Sequence, residues 1–173
     1  SIRYFLKILP YVFTRPGELR VAEWEEVNFE EAMLTIPWHR MKMRKVSRKD
    51  HRVPLSRQVI GLLKELQEFS GTGRFIFPGI RAKTDTISDA GPLNALRDMG
   101  YDQDTMTLHG FRSNEMGVRP DLVEAQLAHK DPDAVRMVYN RAEYLDERRD
   151  MMQRWADYLD ELRAKTDFGA SAL

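Results

Sequence analysis

Apolar residues recur along this chain with the spacing of helix faces more often than of strands, and the breaks between periodic stretches fall at turn-forming residues. Residues 2–13 carry a helical apolar pattern interrupted by Pro10. Thr14-Arg15 then lead into a second short helix opened by Pro16, a residue suited to the first helical position. The character changes over residues 32–55. There Met33-Leu34-Thr35-Ile36, Arg40-Met41-Lys42-Met43 and His51-Arg52-Val53-Pro54-Leu55 read as short strands, with a polar turn at residues 47–50. Ser56 is placed to cap a helix running to about Phe69, with Val59, Ile60, Leu62, Leu63 and Leu66 as its apolar stripe and Gly71 at its end. Beyond a loop containing Phe75-Ile76-Phe77-Pro78, helices are expected over 90–99, 108–116, 120–129, 132–141 and 144–163, with a frayed tail from Thr166. The pattern predicts an α+β, mainly helical domain with one small antiparallel sheet and no internal repeat.

With 173 residues and 42% hydrophobic content the chain suits one domain with a real core. The absence of cysteine removes disulfides and thiolate zinc sites, and no run of about 18 apolar residues is present to span a membrane. The first residues, Ser1-Ile2-Arg3-Tyr4-Phe5-Leu6, are already apolar and periodic, with no targeting composition, and read as a chain cut inside a longer protein.

Basic and acidic residues balance at 27 each. A zero sum argues against a nucleic-acid binder until the distribution is considered. The segment from His39 to Arg57 holds Arg40, Lys42, Arg44, Lys45, Arg48, Lys49, Arg52 and Arg57 against the single acid Asp50. The acids gather at Glu23, Glu25, Glu26, Glu30 and Glu31 and again between Glu143 and Glu161. The neutral total therefore hides a basic hairpin. Arg40, Arg44, Lys45, Arg48, Lys49 and Arg52 are its candidate DNA contacts, with binding expected to be modest and strongly salt-dependent.

Candidate chemistry lies in Thr14-Arg15-Pro16-Gly17-Glu18-Leu19, in Lys42, in His109-Gly110-Phe111-Arg112, and in Leu127-Ala128-His129 followed by Tyr139. Each alone has an ordinary reading. Arg15 and Glu18 at a helix start are commonly a surface ion pair worth about 0–1 kcal/mol. His109 and Arg112 share a helix face as many solvated pairs do. His129 suits a helix end, and Tyr139 an amphipathic face with its hydroxyl at the edge.

Together, in this order and spelling, and with Met41-Lys42-Met43-Arg44, His51-Arg52-Val53-Pro54-Leu55-Ser56 and Val138-Tyr139-Asn140-Arg141, these segments resemble the catalytic domain of the tyrosine recombinases, the phage integrase family. In detail they resemble integrases of P4-like prophages and genomic islands, over residues 4 to 163. The resemblance implies the tyrosine recombinase catalytic-domain fold for residues 1–165, with core-binding and arm-binding domains upstream. It implies Arg15 as first arginine, Lys42 as the hairpin lysine, His109 and Arg112 as the His-x-x-Arg pair, His129 as the third-motif histidine, Tyr139 as nucleophile and Glu18 as the supporting acid.

The activity implied is site-specific DNA integration and excision through a 3′-phosphotyrosyl intermediate, with no metal, cofactor or ATP. The chemistry suits these residue types. Two arginine forks can clamp the non-bridging phosphate oxygens, Tyr139 can attack phosphorus, and Lys42 can protonate the leaving 5′-oxygen, while His109 and His129 donate hydrogen bonds or move protons. Double-stranded DNA at attachment sites is the implied partner. Assembly would reach a tetramer in the synaptic complex, the isolated fragment would be a monomer, DNA-bending and directionality factors would assist, and the bacterial cytoplasm and its nucleoid would be the location.

One departure is the spacing. Only 17 positions separate Arg112 from His129, fewer than the family's pattern carries, and the matching flanks favour residues left out of the sequence over a deletion. Competing readings are a DNA-binding module without catalysis, a type IB topoisomerase-like enzyme, and a metal-dependent nuclease, for which His39, His51, His109 and His129 lack ligand-like spacing with acids. Tyr101, Tyr144 and Tyr158 are alternative tyrosines, of which Tyr144 is the second choice. Trp24, Trp38 and Trp155 read as packing anchors, and Met151 and Met152 as core filler. The helix from Tyr144 to Arg163 either closes this domain or, as family precedent implies, docks on a neighbouring protomer through Trp155.

Overall fold

A computed structural model of the chain describes residues 1–41, 48–80, 85–102, 104–108, 120–127 and 144–170. Helix α1 (Ile2–Val12) buries Phe5, Ile8, Leu9 and Val12, the i, i+3, i+4, i+7 face of its periodicity. The helix passes through Pro10 unbroken. In the last turn the proline withholds only its own N–H, and its carbonyl accepts a hydrogen bond from the Trp155 indole at 2.7 Å. Phe13 closes α1 in the left-handed region, φ 54°, and turns the chain into α2 (Pro16–Arg20).

A 3₁₀ turn at Trp24–Glu26 precedes a three-stranded antiparallel sheet of β1 (Val27–Asn28), β2 (Met33–Ile36) and β3 (His51–Pro54), in that order. Val27 pairs with Leu34, Leu34 with Val53 and Ile36 with His51. Among the described residues the sheet contains the expected Met33–Ile36 and His51–Pro54 strands, joined by Val27–Asn28, which the sequence pattern did not single out. Trp38–Arg40 winds a second 3₁₀ turn, and Lys42 and Met43 of the expected Arg40–Met43 strand lie outside the described residues. Pro37 offers no N–H to a ladder, and the Trp38 N–H goes to the Asp50 carboxylate at 2.9 Å, so pairing stops at Ile36.

Helix α3 (Arg57–Ser70) begins as its sequence predicts, with Ser56 Oγ accepting from the Val59 N–H at 3.4 Å. It ends at Gly71, where an added Cβ would lie 2.5 Å from the Gln67 carbonyl oxygen. Helices α4 (Gly91–Asp98), α5 (Pro120–Leu127) and α6 (Leu145–Ala170) complete the described elements. The last runs on past Thr166, where fraying was expected, and stays helical to Ala170.

Helix α1 is central, packing on α2, α3, α4 and α6, while β3 packs on α6. The larger core joins Phe5, Ile8, Leu34, Val53, Leu63 and Phe77 across α1, the sheet and α3. A second core joins Phe13, Leu122, Val123, Leu127, Met151, Met152 and Trp155. Trp155 stands edge-on to Phe13 at 5.2 Å and is 8% exposed. Helix α6 therefore packs on its own domain, with Trp155 inside the second core. Among the described residues no helix is long and apolar enough to cross a membrane.

Trp155→Phe tests this packing, because it keeps an aromatic ring against Phe13 but orphans the Pro10 carbonyl. It should cost about 1–3 kcal/mol in urea denaturation and leave assembly on DNA intact. An assembly defect at unchanged stability would instead point to a neighbour-docking role for this helix.

Candidate catalytic site

Arg15 occupies the N-cap of α2, with extended backbone geometry (φ −68°, ψ 134°). Its carbonyl accepts from the N–H groups of Glu18 at 2.9 Å and Leu19 at 3.0 Å, and Pro16 fits the first helical position, where no donor is required. The side chain is only 16% exposed, and its Nη1 donates to Glu18 Oε1 at 3.2 Å. Glu18 is itself buried, at 7% side-chain exposure. The pair is thus no solvated surface bridge. A buried, acceptor-only carboxylate one helical turn away fixes the plane of a guanidinium, and a planar fork held in one orientation is what bidentate phosphate recognition needs.

Arg15→Lys keeps the charge and removes the fork. If Arg15 binds phosphate, the substitution should lower strand cleavage by about 10²–10³-fold, the range found on removing one transition-state donor, with folding unchanged by circular dichroism.

The basic hairpin is less uniform than its sequence. Lys49 is exposed, and Arg48 lies over the Trp38 ring at 5.9 Å, an arrangement that keeps its charge at the surface. Arg52 faces Glu31 at 3.4 Å with both side chains half exposed, a weak pair. Arg40 turns inward, its guanidinium bonded to the Glu26 carboxylate and the Val21 carbonyl. That charge is committed inside the protein.

Two of the acids in the sequence's acidic segment, Glu23 and Glu26, have local partners as well. Hydrogen bonds from Arg74 at 2.8 Å hold the Glu23 carboxyl below its ordinary value, whereas burial pushes the Glu26 carboxyl above it. His51 is also structural. It is buried in β3, and its Nε2 donates to the Gln126 carbonyl at 3.0 Å. His39 is exposed and stands edge-on to Trp38.

Lys42, Arg44, Lys45, His109, Arg112, His129 and Tyr139 lie outside the described residues. Their flanks are anchored. Leu108, directly before His109, packs on the larger core. Leu127, two residues before His129, and Tyr144, five after Tyr139, pack in the second. Buried groups not singled out from the sequence are Gln126, fully enclosed, and Arg148, 1% exposed. A periodic signal for Arg148 exists, since it stands at i with Met152 at i+4 and Trp155 at i+7 on the buried face of α6.

The phage integrase family model matches residues 1–145. The integrase of Enterobacteria phage P4 is 39% identical over 180 residues, covering 94% of this chain and 41% of that protein. The integrase of Shigella phage Sf6 is 41% identical over 162 residues, covering 90% of this chain and 41% of its own length. The chain therefore spans about two fifths of these relatives. Among solved structures, that of the XerA recombinase has the same fold, with a TM-score of 0.59 over 85% of this chain and 56% of that one, at 17% identity. With a family match over most of its length and relatives at this identity, the chain belongs to the phage integrase family.

Proposed function

We propose that this chain is the catalytic domain of a site-specific tyrosine recombinase that integrates and excises DNA by metal- and ATP-independent strand cleavage and rejoining. The family match over residues 1–145 carries this reading, and the buried, oriented Arg15–Glu18 pair supports it. In the proposed step, the Tyr139 phenolic oxygen bonds to the scissile phosphorus as the bond to the 5′-oxygen breaks. The phenolic proton passes to a neighbouring base, with His109 and His129 as candidates, and Lys42 protonates the leaving 5′-oxygen.

Arg15 and Arg112 take up charge on the non-bridging oxygens, Glu18 holds Arg15, and Arg48 and Lys49 contact the backbone along the hairpin. One phosphoester replaces another, so the 3′-phosphotyrosyl link can be reopened by a second 5′-hydroxyl without an energy source. Partners would be double-stranded attachment sites, further copies of the protein up to a tetramer, and DNA-bending or directionality factors, in the bacterial cytoplasm.

The test is to incubate the full-length protein with a nicked duplex bearing its attachment site, from which the cleaved fragment diffuses away. A protein–DNA adduct that survives denaturant is expected. DNA binding with no adduct would favour a binding module instead.

A further inference from the structure

Behind the Arg15 turn lies a buried polar hub that the proposed chemistry does not use. Gln126, near the end of α5, donates through Nε2 to the Val12 carbonyl at 3.0 Å. Its Oε1 accepts from Arg148 Nε at 3.0 Å and Nη2 at 2.8 Å, and Arg148 Nη2 also donates to the Arg52 carbonyl at 2.6 Å. The Gln126 carbonyl takes the His51 Nε2–H at 3.0 Å. Gln126, Arg148 and His51 are each at most 1% exposed.

The hub draws on four separate stretches of chain. Val12 precedes Arg15 by three residues, His51 follows Lys42 by nine, Gln126 precedes His129 by three, and Arg148 follows Tyr139 by nine. Stability alone does not account for it. Burying a guanidinium costs several kcal/mol, and well-packed apolar groups of similar volume are often as stable or more so. What directional hydrogen bonds add is a defined geometry between elements, and a displacement of about 1 Å at reacting groups can cost 10²-fold in rate.

We propose that Gln126 and Arg148 are positioning residues that hold the segments bearing Arg15, Lys42, His129 and Tyr139 in one register. The proposal rests on the recombinase reading above. Gln126→Glu tests it, because it preserves volume and the acceptors toward Arg148 but removes the donor to Val12. In the full-length protein on the nicked attachment-site duplex, single-turnover adduct formation should slow by about 10²-fold, with DNA affinity and the final adduct yield per folded molecule unchanged.

Only molecules that react contribute to the time constant, so partial unfolding lowers the amplitude and not the constant. Arg148→Lys, which cannot reach two acceptors at once, should slow the step in the same way. A wild-type time constant in either variant, at any melting temperature, overturns the proposal. A wild-type protein that binds the duplex but forms no adduct overturns the recombinase reading instead.

Discussion

Tyr139→Phe should abolish the denaturant-resistant adduct while leaving binding to the attachment-site duplex at its wild-type affinity. Phenylalanine keeps the ring and removes the only atom that can bond to phosphorus, so the loss should be complete rather than graded. The described tyrosines give this experiment its sharpness. Burial and a 2.8 Å bond to Asp160 push the Tyr11 hydroxyl up to about 12, which makes it a poor nucleophile at neutral pH. Tyr4 is raised likewise by loss of hydration and by its bond to Glu65. Tyr158 packs against Trp155 with ring centres 5.8 Å apart, and Tyr144 packs on the second core. An adduct in the Tyr139→Phe protein at wild-type yield would move the nucleophile elsewhere, and Tyr144→Phe would then be the next variant.

Glu26→Ala is the second large effect expected, on stability. It leaves the Arg40 guanidinium inside the protein with its carboxylate gone, a change that costs about 3–5 kcal/mol in pairs of this kind. The midpoint of urea denaturation should fall accordingly. Replacing both partners, as Glu26→Leu with Arg40→Met, should restore most of the loss, since no buried charge remains. The same double variant decides whether Arg40 touches DNA. If its charge is wholly internal, the salt dependence of DNA binding keeps its slope, whereas loss of a phosphate contact would reduce that slope by about one unit.

The two neighbouring acids have opposite pH signatures. Because the Arg74 bonds depress Glu23, its contribution is present above the ordinary value of 4.5 and is lost as pH falls through its lower folded value. Because burial raises Glu26, its contribution is present below 4.5 and declines as pH rises through its higher folded value. Of the pair, Glu23 is the source of acid sensitivity.

The elements legible in the sequence are those that depend on near neighbours. The stripe of Val59, Leu63 and Leu66, the Ser56 cap and the Gly71 stop all follow from spacings of three and four residues. The Arg15–Glu18 pair is of the same kind, three positions apart and one helical turn long. Its burial was not legible, and burial separates a guanidinium held in one orientation from an ordinary solvated bridge. The sheet illustrates the limit. Val27–Asn28 is too short a pattern to read as a strand yet pairs beside Met33–Ile36, while Pro37 and the Asp50 carboxylate end the pairing at Ile36 and Trp38–Arg40 winds into a 3₁₀ turn.

By itself, then, the sequence determined the helix faces, the caps and the motif series that places this chain in its family, because those are written in order and spacing. The tertiary structure alone decided which polar group meets which. Arg40 went to Glu26, 14 positions away, and Arg148 to Gln126, 22 away. The Trp155 indole went to Pro10, 145 away. The physical reason is that a long side chain or an orphan carbonyl accepts any suitable partner, and only the packing of α1, α5, α6 and the sheet brings one particular partner within 3 Å.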